Sequence, residues 1–246
     1  FSLGKTAMLQ DFGRQRNALR PHTSASENGY MQGAAATIRL SDAIRLTPFL
    51  SYRKTDATLN DDGSISSLIY TGYHRTISEL NKKNNTSLTA GGINARWNLE
   101  DFSLGATAVF THINRPLSPN KSATYKKIYP EGSNFFNASL NYSWLHYPFS
   151  VNGETAINAN GAIATLNTLG WHLSQYVEVM GIYRFYSFNY YSLYANAFSE
   201  GGKTQNESGL YLGVRWQPKY GIDIQAYTDL AYFAWPRYGV SQSSYA

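Results

Sequence analysis

The sequence predicts an all-β chain, an antiparallel up-and-down barrel with about ten strands visible. Three observations carry this: apolar and polar residues alternate with period two, the alternating stretches are long, and their connections are short and long in turn. Strand side chains point to opposite faces in turn, so a strand held between two different media records both as alternation. Residues 135–145 place Phe136, Ala138, Leu140, Tyr142 and Trp144 on one face and Asn137, Ser139, Asn141 and Ser143 on the other. Residues 222–232 set Ile222, Ile224, Ala226, Thr228, Leu230 and Tyr232 against Asp223, Gln225, Tyr227 and Asp229. Phe149, Val151, Gly153, Thr155 and Ile157 oppose Ser150, Asn152, Glu154 and Ala156, and 102–110 repeats the pattern. Weaker copies lie at about 29–40, 44–54, 87–99, 161–173, 177–187 and 207–217.

These stretches run to about 9–13 residues. Strands of globular sheets peak at about 5–6, whereas about 9–11 tilted residues cross a bilayer. Short turns fall near 41–43, 100–101, 146–147, 174–175 and 218–221. Long polar connections fall at about 55–86, 115–134 and 188–206, with one short exception at 158–160. Short periplasmic turns and long extracellular loops are the pattern of outer-membrane barrels. The expected location is therefore a Gram-negative outer membrane, crossed many times by strands.

Tryptophan placement points the same way. Trp97, Trp144, Trp171 and Trp216 precede short turns, and with Phe102, Tyr147, Phe149, Tyr176 and Tyr220 they would ring the periplasmic rim. Such rings favour the membrane interface because the body is apolar while the N–H or O–H still reaches water. Tyr30, Tyr52, Phe110, Phe136, Phe185, Tyr211 and Tyr232 would form the second girdle. Arg39, Arg45, Arg53, Arg96, Arg184 and Arg215 are expected to face the lumen, with Glu154, Glu178, Asp223 and Asp229 opposing them. An Arg or Lys facing lipid at the midplane costs roughly 2–4 kcal/mol, which drives the charges inward. Pairing into a closed network is the favoured arrangement, since an unpaired buried charge is costly. A water path lined by the same residues is the alternative.

Composition sets the exclusions. The 246 residues are 43% hydrophobic and 15% aromatic, with 20 Tyr and only 15% charged residues, against about 25% charged in ordinary soluble domains. A mean hydropathy of −0.38 and the lack of any apolar run of about 18 residues exclude membrane-spanning helices. Without cysteine there is no disulfide framework, thiolate metal site or thiol nucleophile. The formal charge of +5 is scattered, which fits a solvated mixed surface better than a nucleic-acid footprint.

Residues 1–246 read as one barrel domain: 1–27 a strand end and long-loop-side loop, 28–233 the strands, 234–246 an end on the same side. With both ends outside, a strand is expected before Phe1 and at least one after Ala246. The chain is then an internal piece of a longer protein and an incomplete barrel.

The histidines are the candidates for catalytic and metal chemistry. His22 with Ser24 and Glu27, or His74 with Glu79, could enter a hydrolase triad, but no G-x-S-x-G motif accompanies either. No two histidines stand at metal-ligand spacing, so no metal and no cofactor is expected. Asn60-Asp61-Asp62-Gly63 lacks the later ligands of a calcium loop and reads as a polar turn. Gly91-Gly92 lies inside a strand, where glycine marks a bulge or close approach. The extracellular loops would present Arg20, His22, Tyr73, His74, Arg75, Glu200 and Arg237. Aromatic and basic residues interleave there, compatible with glycans or single strands and equally with lipopolysaccharide phosphates.

Several segments carry a family resemblance: Leu19-Arg20-Pro21-His22-Thr23-Ser24, Tyr52-Arg53-Lys54-Thr55-Asp56, Gly72-Tyr73-His74-Arg75-Thr76, Phe135-Phe136-Asn137-Ala138, Ala197-Phe198-Ser199-Glu200-Gly201-Gly202 and Trp235-Pro236-Arg237-Tyr238. Together they resemble the C-terminal barrel of Bacteroidota outer-membrane proteins whose N-terminal part carries helix-hairpin-helix repeats. The resemblance implies a DNA contact made by that other part, absent from this sequence, and hence a role in DNA handling or uptake. It implies no catalytic residue. The expected function is a non-enzymatic, porin-like pore, or the membrane anchor and conduit of a larger protein, with outer-membrane lipid and lipopolysaccharide as partners. A barrel hydrolase acting at the extracellular rim and a soluble ligand-binding barrel are the alternatives.

Overall fold

A computed structural model describes residues 30–219 and 221–246. In chain order it contains β1 (Gly33–Ala35), β2 (Ile38–Arg39), β3 (Ile44–Leu59), β4 (Ile65–Ile69), α1 (Ile77–Leu80), β5 (Thr86–Asn98), β6 (Phe102–Leu117) and β7 (Gly132–His146). β8 (Phe149–Asn158), β9 (Ile163–Ser174), β10 (Val177–Tyr186), β11 (Glu207–Trp216), β12 (Ile224–Phe233) and β13 (Ser244–Tyr245) follow. All the strands join one 13-stranded sheet. The ladders are antiparallel apart from a single parallel pairing, Ile65 with Leu117. The fold is all-β.

With β1 and β2 taken as two pieces of one strand, the long strands follow the alternating stretches of the sequence. From β3 through β5 and on to β12, consecutive long strands pair in order, and β4 and β13 are short additions. The region 55–86 is more structured than a loop. β3 continues to Leu59 and turns at Asn60–Gly63 into β4. Asp62 Oδ1 accepts from the backbone N–H of Ser64 at 2.8 Å, and Gly63 takes φ +80, open to glycine at little cost. Beyond β4, Thr76 and Glu79 cap α1 reciprocally.

Register fixes two faces. On one, Leu50, Leu140, Leu169, Leu212 and Leu230 are exposed, at up to 62% of their surface. The other, here the inner face, holds three buried apolar clusters: Ala57, Ile65, Leu88, Ile113 and Leu117; Met180, Ile182 and Tyr211; and Ala162, Ala164, Tyr186 and Tyr190. Gly91-Gly92 is a close approach, because a Cβ at Gly92 would stand 2.6 Å from the Phe49 ring. Tyr211 departs from its expected girdle place. It pairs with Ile182 and Asp229 and is fully buried on the inner face, because it shares the parity of Arg215. Among the described residues no ladder joins β12 to β1 or β2, so the sheet has two open edges.

Candidate functional site: the loop-covered inner face

The register places nine of the ten charged residues expected in the lumen on the inner face. Arg39 is opposite Arg45, and Arg45 opposite Arg96. Arg53 shares the parity of Arg45, while Glu154, Glu178, Arg184, Arg215 and Asp229 fall on that face through their own ladders. Asp223 joins them through Arg215, whose Nη2 donates to it at 2.7 Å.

Among the described residues, the carboxylates of the inner face lie from β8 onward. On β10 to β12, Arg184 is buried, bonded through Nε to Glu207 and through Nη1 to Asp229 at 2.7 Å. Nearer the short turns, Arg215 bridges Asp223 and Glu178, and His172 Nδ1 lies 3.3 Å from Glu178. The Arg215 guanidinium holds the Asp223 carboxyl below the usual carboxylate range. On β2, β3 and β5 the row Arg39–Arg45–Arg96 forms no ion pair among the described residues, and Arg96 Nε donates to Asn98 Oδ1 at 2.9 Å. No Asp or Glu shares the inner face of the strands from β1 to β7 among the described residues. Among the described residues, then, the pairing favoured from the sequence is seen at Arg184 and Arg215 and not along the Arg39–Arg45–Arg96 row. Like charges directly across a ladder repel, so this row suits a wet environment.

The connection 187–206 folds over this face. Leu193 packs against the cluster formed by β3, β4, β5 and β6, far across the sheet from the end of β10. Phe198 packs on Met180, Ile182 and Tyr211, edge-on to the Tyr211 ring at 5.7 Å. The Arg184 guanidinium lies 4.9 Å from the Phe198 ring centre. The backbone is tied down as well. Tyr186 Oη donates to Phe198 O at 2.8 Å, and Asn137 Nδ2 to Tyr191 O at 2.9 Å. The N–H groups of Glu200 and Gly201 both donate to the Glu207 carboxylate at 2.8 Å.

One carboxylate thus anchors both Arg184 and the loop. Beneath the loop remains a cavity of about 390 Å³, whose lining includes Thr107, Ser139, Glu154, Tyr190 and Tyr194. Burial and the Glu154 charge push the Tyr190 phenol up to about 12.

The expected interface aromatics lie near the short turns. Trp97, Trp144, Tyr147, Phe149, Trp171, Tyr176 and Trp216 are exposed and Phe102 is half-buried, while Tyr220 lies outside the described residues. Phe149 stacks on Trp171 at 5.7 Å and Trp144 on His146 at 5.9 Å. Among the described residues, no pocket brings together the loop residues expected to be presented. Arg75 lies 4.0 Å over the Tyr73 ring, and Arg237 lies 3.6 Å over Phe233.

His74 Nε2 is 2.7 Å from Asp56 Oδ2, whereas Glu79 accepts from the N–H groups of Arg75 and Thr76. The His74–Glu79 combination is not assembled. Arg20, His22, Ser24 and Glu27 lie outside the described residues. Sequence reasoning missed Glu207 and Phe198. The parity that marks Arg215 also places Glu207 inward, so the signal for it was present.

Comparison of the chain with protein-family models and with curated proteins gives no match.

Proposed function

We propose that this chain is the barrel part of a non-enzymatic outer-membrane protein, acting as a narrow pore or as the membrane anchor and conduit of a larger protein. The carrying observation is the contrast between the two faces. One exposes large apolar side chains on strand after strand, with aromatic residues beside the short turns. The other carries the charges, including an arginine row with no ion-pair partner among the described residues. An exposed apolar area on this scale calls for a covering medium, and lipid supplies it on the face where alternation puts it. The reading requires both open edges to find partners, since a bilayer offers none to backbone amides.

The covering loop favours a narrow conduit or plugged anchor over a wide pore. The family resemblance adds a role in DNA handling, the DNA contact lying with a helix-hairpin-helix region outside this sequence. Reconstitution into planar bilayers tests the reading. Discrete conductance steps support a conduit, and silence from a chain that still shifts in cold SDS gels supports an anchor. A chain that stays in the aqueous phase without detergent contradicts both.

A further inference from the structure

At the long-loop end, a bowl of about 570 Å³ opens between the segment 121–136 and the loop that begins at Phe188. We propose that this bowl binds a short anionic oligosaccharide. One wall is aromatic and fixed. Phe188 stacks on Trp235 with ring centres 5.4 Å apart and planes 20° from parallel. Trp235 Nε1 donates to Thr124 O at 3.0 Å, and its backbone is clasped on both sides by the Asn206 amide at 2.7 and 2.9 Å. Gln205 Nε2 donates to both Ile128 O and Phe188 O, stapling the two loops together. The walls are therefore built before any ligand arrives, which lowers the cost of binding.

The polar lining suits hydroxyl groups. The side-chain amides of Asn160 and Asn189 are exposed and have no partner among the described residues, and the Asn189 backbone is held by Asn158 Nδ2 at 3.0 Å. A primary amide donates and accepts at once, as each sugar hydroxyl does. The C–H face of a pyranose can lie on an aromatic ring, and its hydroxyl rim then meets the amides. Lys127 is exposed with no acid partner among the described residues, and Lys121 stands 3.1 Å from Glu131. Glu131 also lines the bowl and compensates Lys121, so Lys127 is the cation left to meet a sugar carboxylate, and that favours an acidic sugar.

A nucleic-acid strand would need cations along an open groove that tracks its backbone. This bowl has two lysines, both from the segment 121–136. The proposal does not rest on conduction through the lumen.

Calorimetric titration of the full chain, refolded in detergent, tests it. The probes are hexasaccharides of galacturonate and of hyaluronan, neutral maltohexaose, lipopolysaccharide, and single-stranded oligothymidylate. The expected result is binding of an acidic hexasaccharide, with weaker binding of maltohexaose. Affinity should fall about tenfold or more in F188A and in N160D/N189D, both of which should retain the cold-SDS mobility of the parent. Competition by lipopolysaccharide would name the membrane's own glycan as the source, and its absence would name a soluble polysaccharide. The proposal is overturned if neither acidic hexasaccharide nor lipopolysaccharide binds, if both variants bind like the parent, or if oligothymidylate binds more tightly than the sugars.

Discussion

Arg184 on β10 stands directly opposite Gly209 on β11, and the guanidinium occupies the space that a side chain at 209 would fill. That vacancy lets Arg184 reach across the ladder to Glu207 and Asp229 together. Gly209→Ala should therefore destabilise by about 1–3 kcal/mol through overpacking. Arg184→Ala should cost more, about 3–5 kcal/mol, because it leaves buried carboxylates uncompensated. Urea unfolding in detergent measures both. Equal stability of G209A and the parent would show that the triad can shift aside without loss.

Glu207 joins the triad to the loop, since it also accepts the N–H groups of Glu200 and Gly201. Glu207→Ala should release 187–206 from the inner face. Protease cleavage within the loop should rise, and any single-channel conductance should increase. Unchanged cleavage would mean that Leu193 and Phe198 hold the loop by packing alone.

The buried tyrosines of the covering loop and Tyr70 set an alkaline limit. Tyr190 ionises at about 12, and burial also raises Tyr191, Tyr194 and Tyr70. The unfolded phenol ionises near about 10, so folding favours the neutral form. Its stabilising contribution is complete below about pH 10 and is lost as pH rises through about 12. Phenolate absorbance should show a late fraction beside the exposed tyrosines, smaller in Y190F. A single transition near pH 10 in the folded chain would contradict this packing.

On the apolar face, Tyr142 Oη donates to Asn167 Oδ1 at 2.6 Å across Gly153, and Asn167 Nδ2 donates to Thr165. Asn167→Leu should cost about 1–3 kcal/mol, with much of the loss recovered in Y142F/N167L, since removing both partners is cheaper than orphaning one. A double-mutant cycle in lipid measures the coupling.

Period two made the ten strands legible, because Asn137, Ser139 and Asn141 could alternate with Phe136, Ala138 and Leu140 only between unlike media. The short-turn tryptophans followed from the same order. What the sequence hid is non-periodic. Tyr190, Ser192, Tyr194 and Asn196 have the polarity of a solvent-exposed connection, and nothing local shows that Leu193 and Phe198 will find apolar clusters on distant strands. Tyr211 was legible, since Arg215 fixes its parity, but a tyrosine near a strand end reads as an interface residue. The unequal pairing of the arginines depends on which strands become neighbours, and alternation does not encode that.

Lipid exposure of the tryptophan rim is the most direct test of the central claim. Reconstitution into bilayers of phospholipids brominated at graded depths, with tryptophan emission as the signal, reads it. Trp97, Trp144, Trp171 and Trp216 should be quenched most by bromines nearest the headgroups, and W235F should leave that profile nearly unchanged. Emission unaffected by bromine at every depth would show that the apolar face does not meet lipid, and the barrel reading would fall.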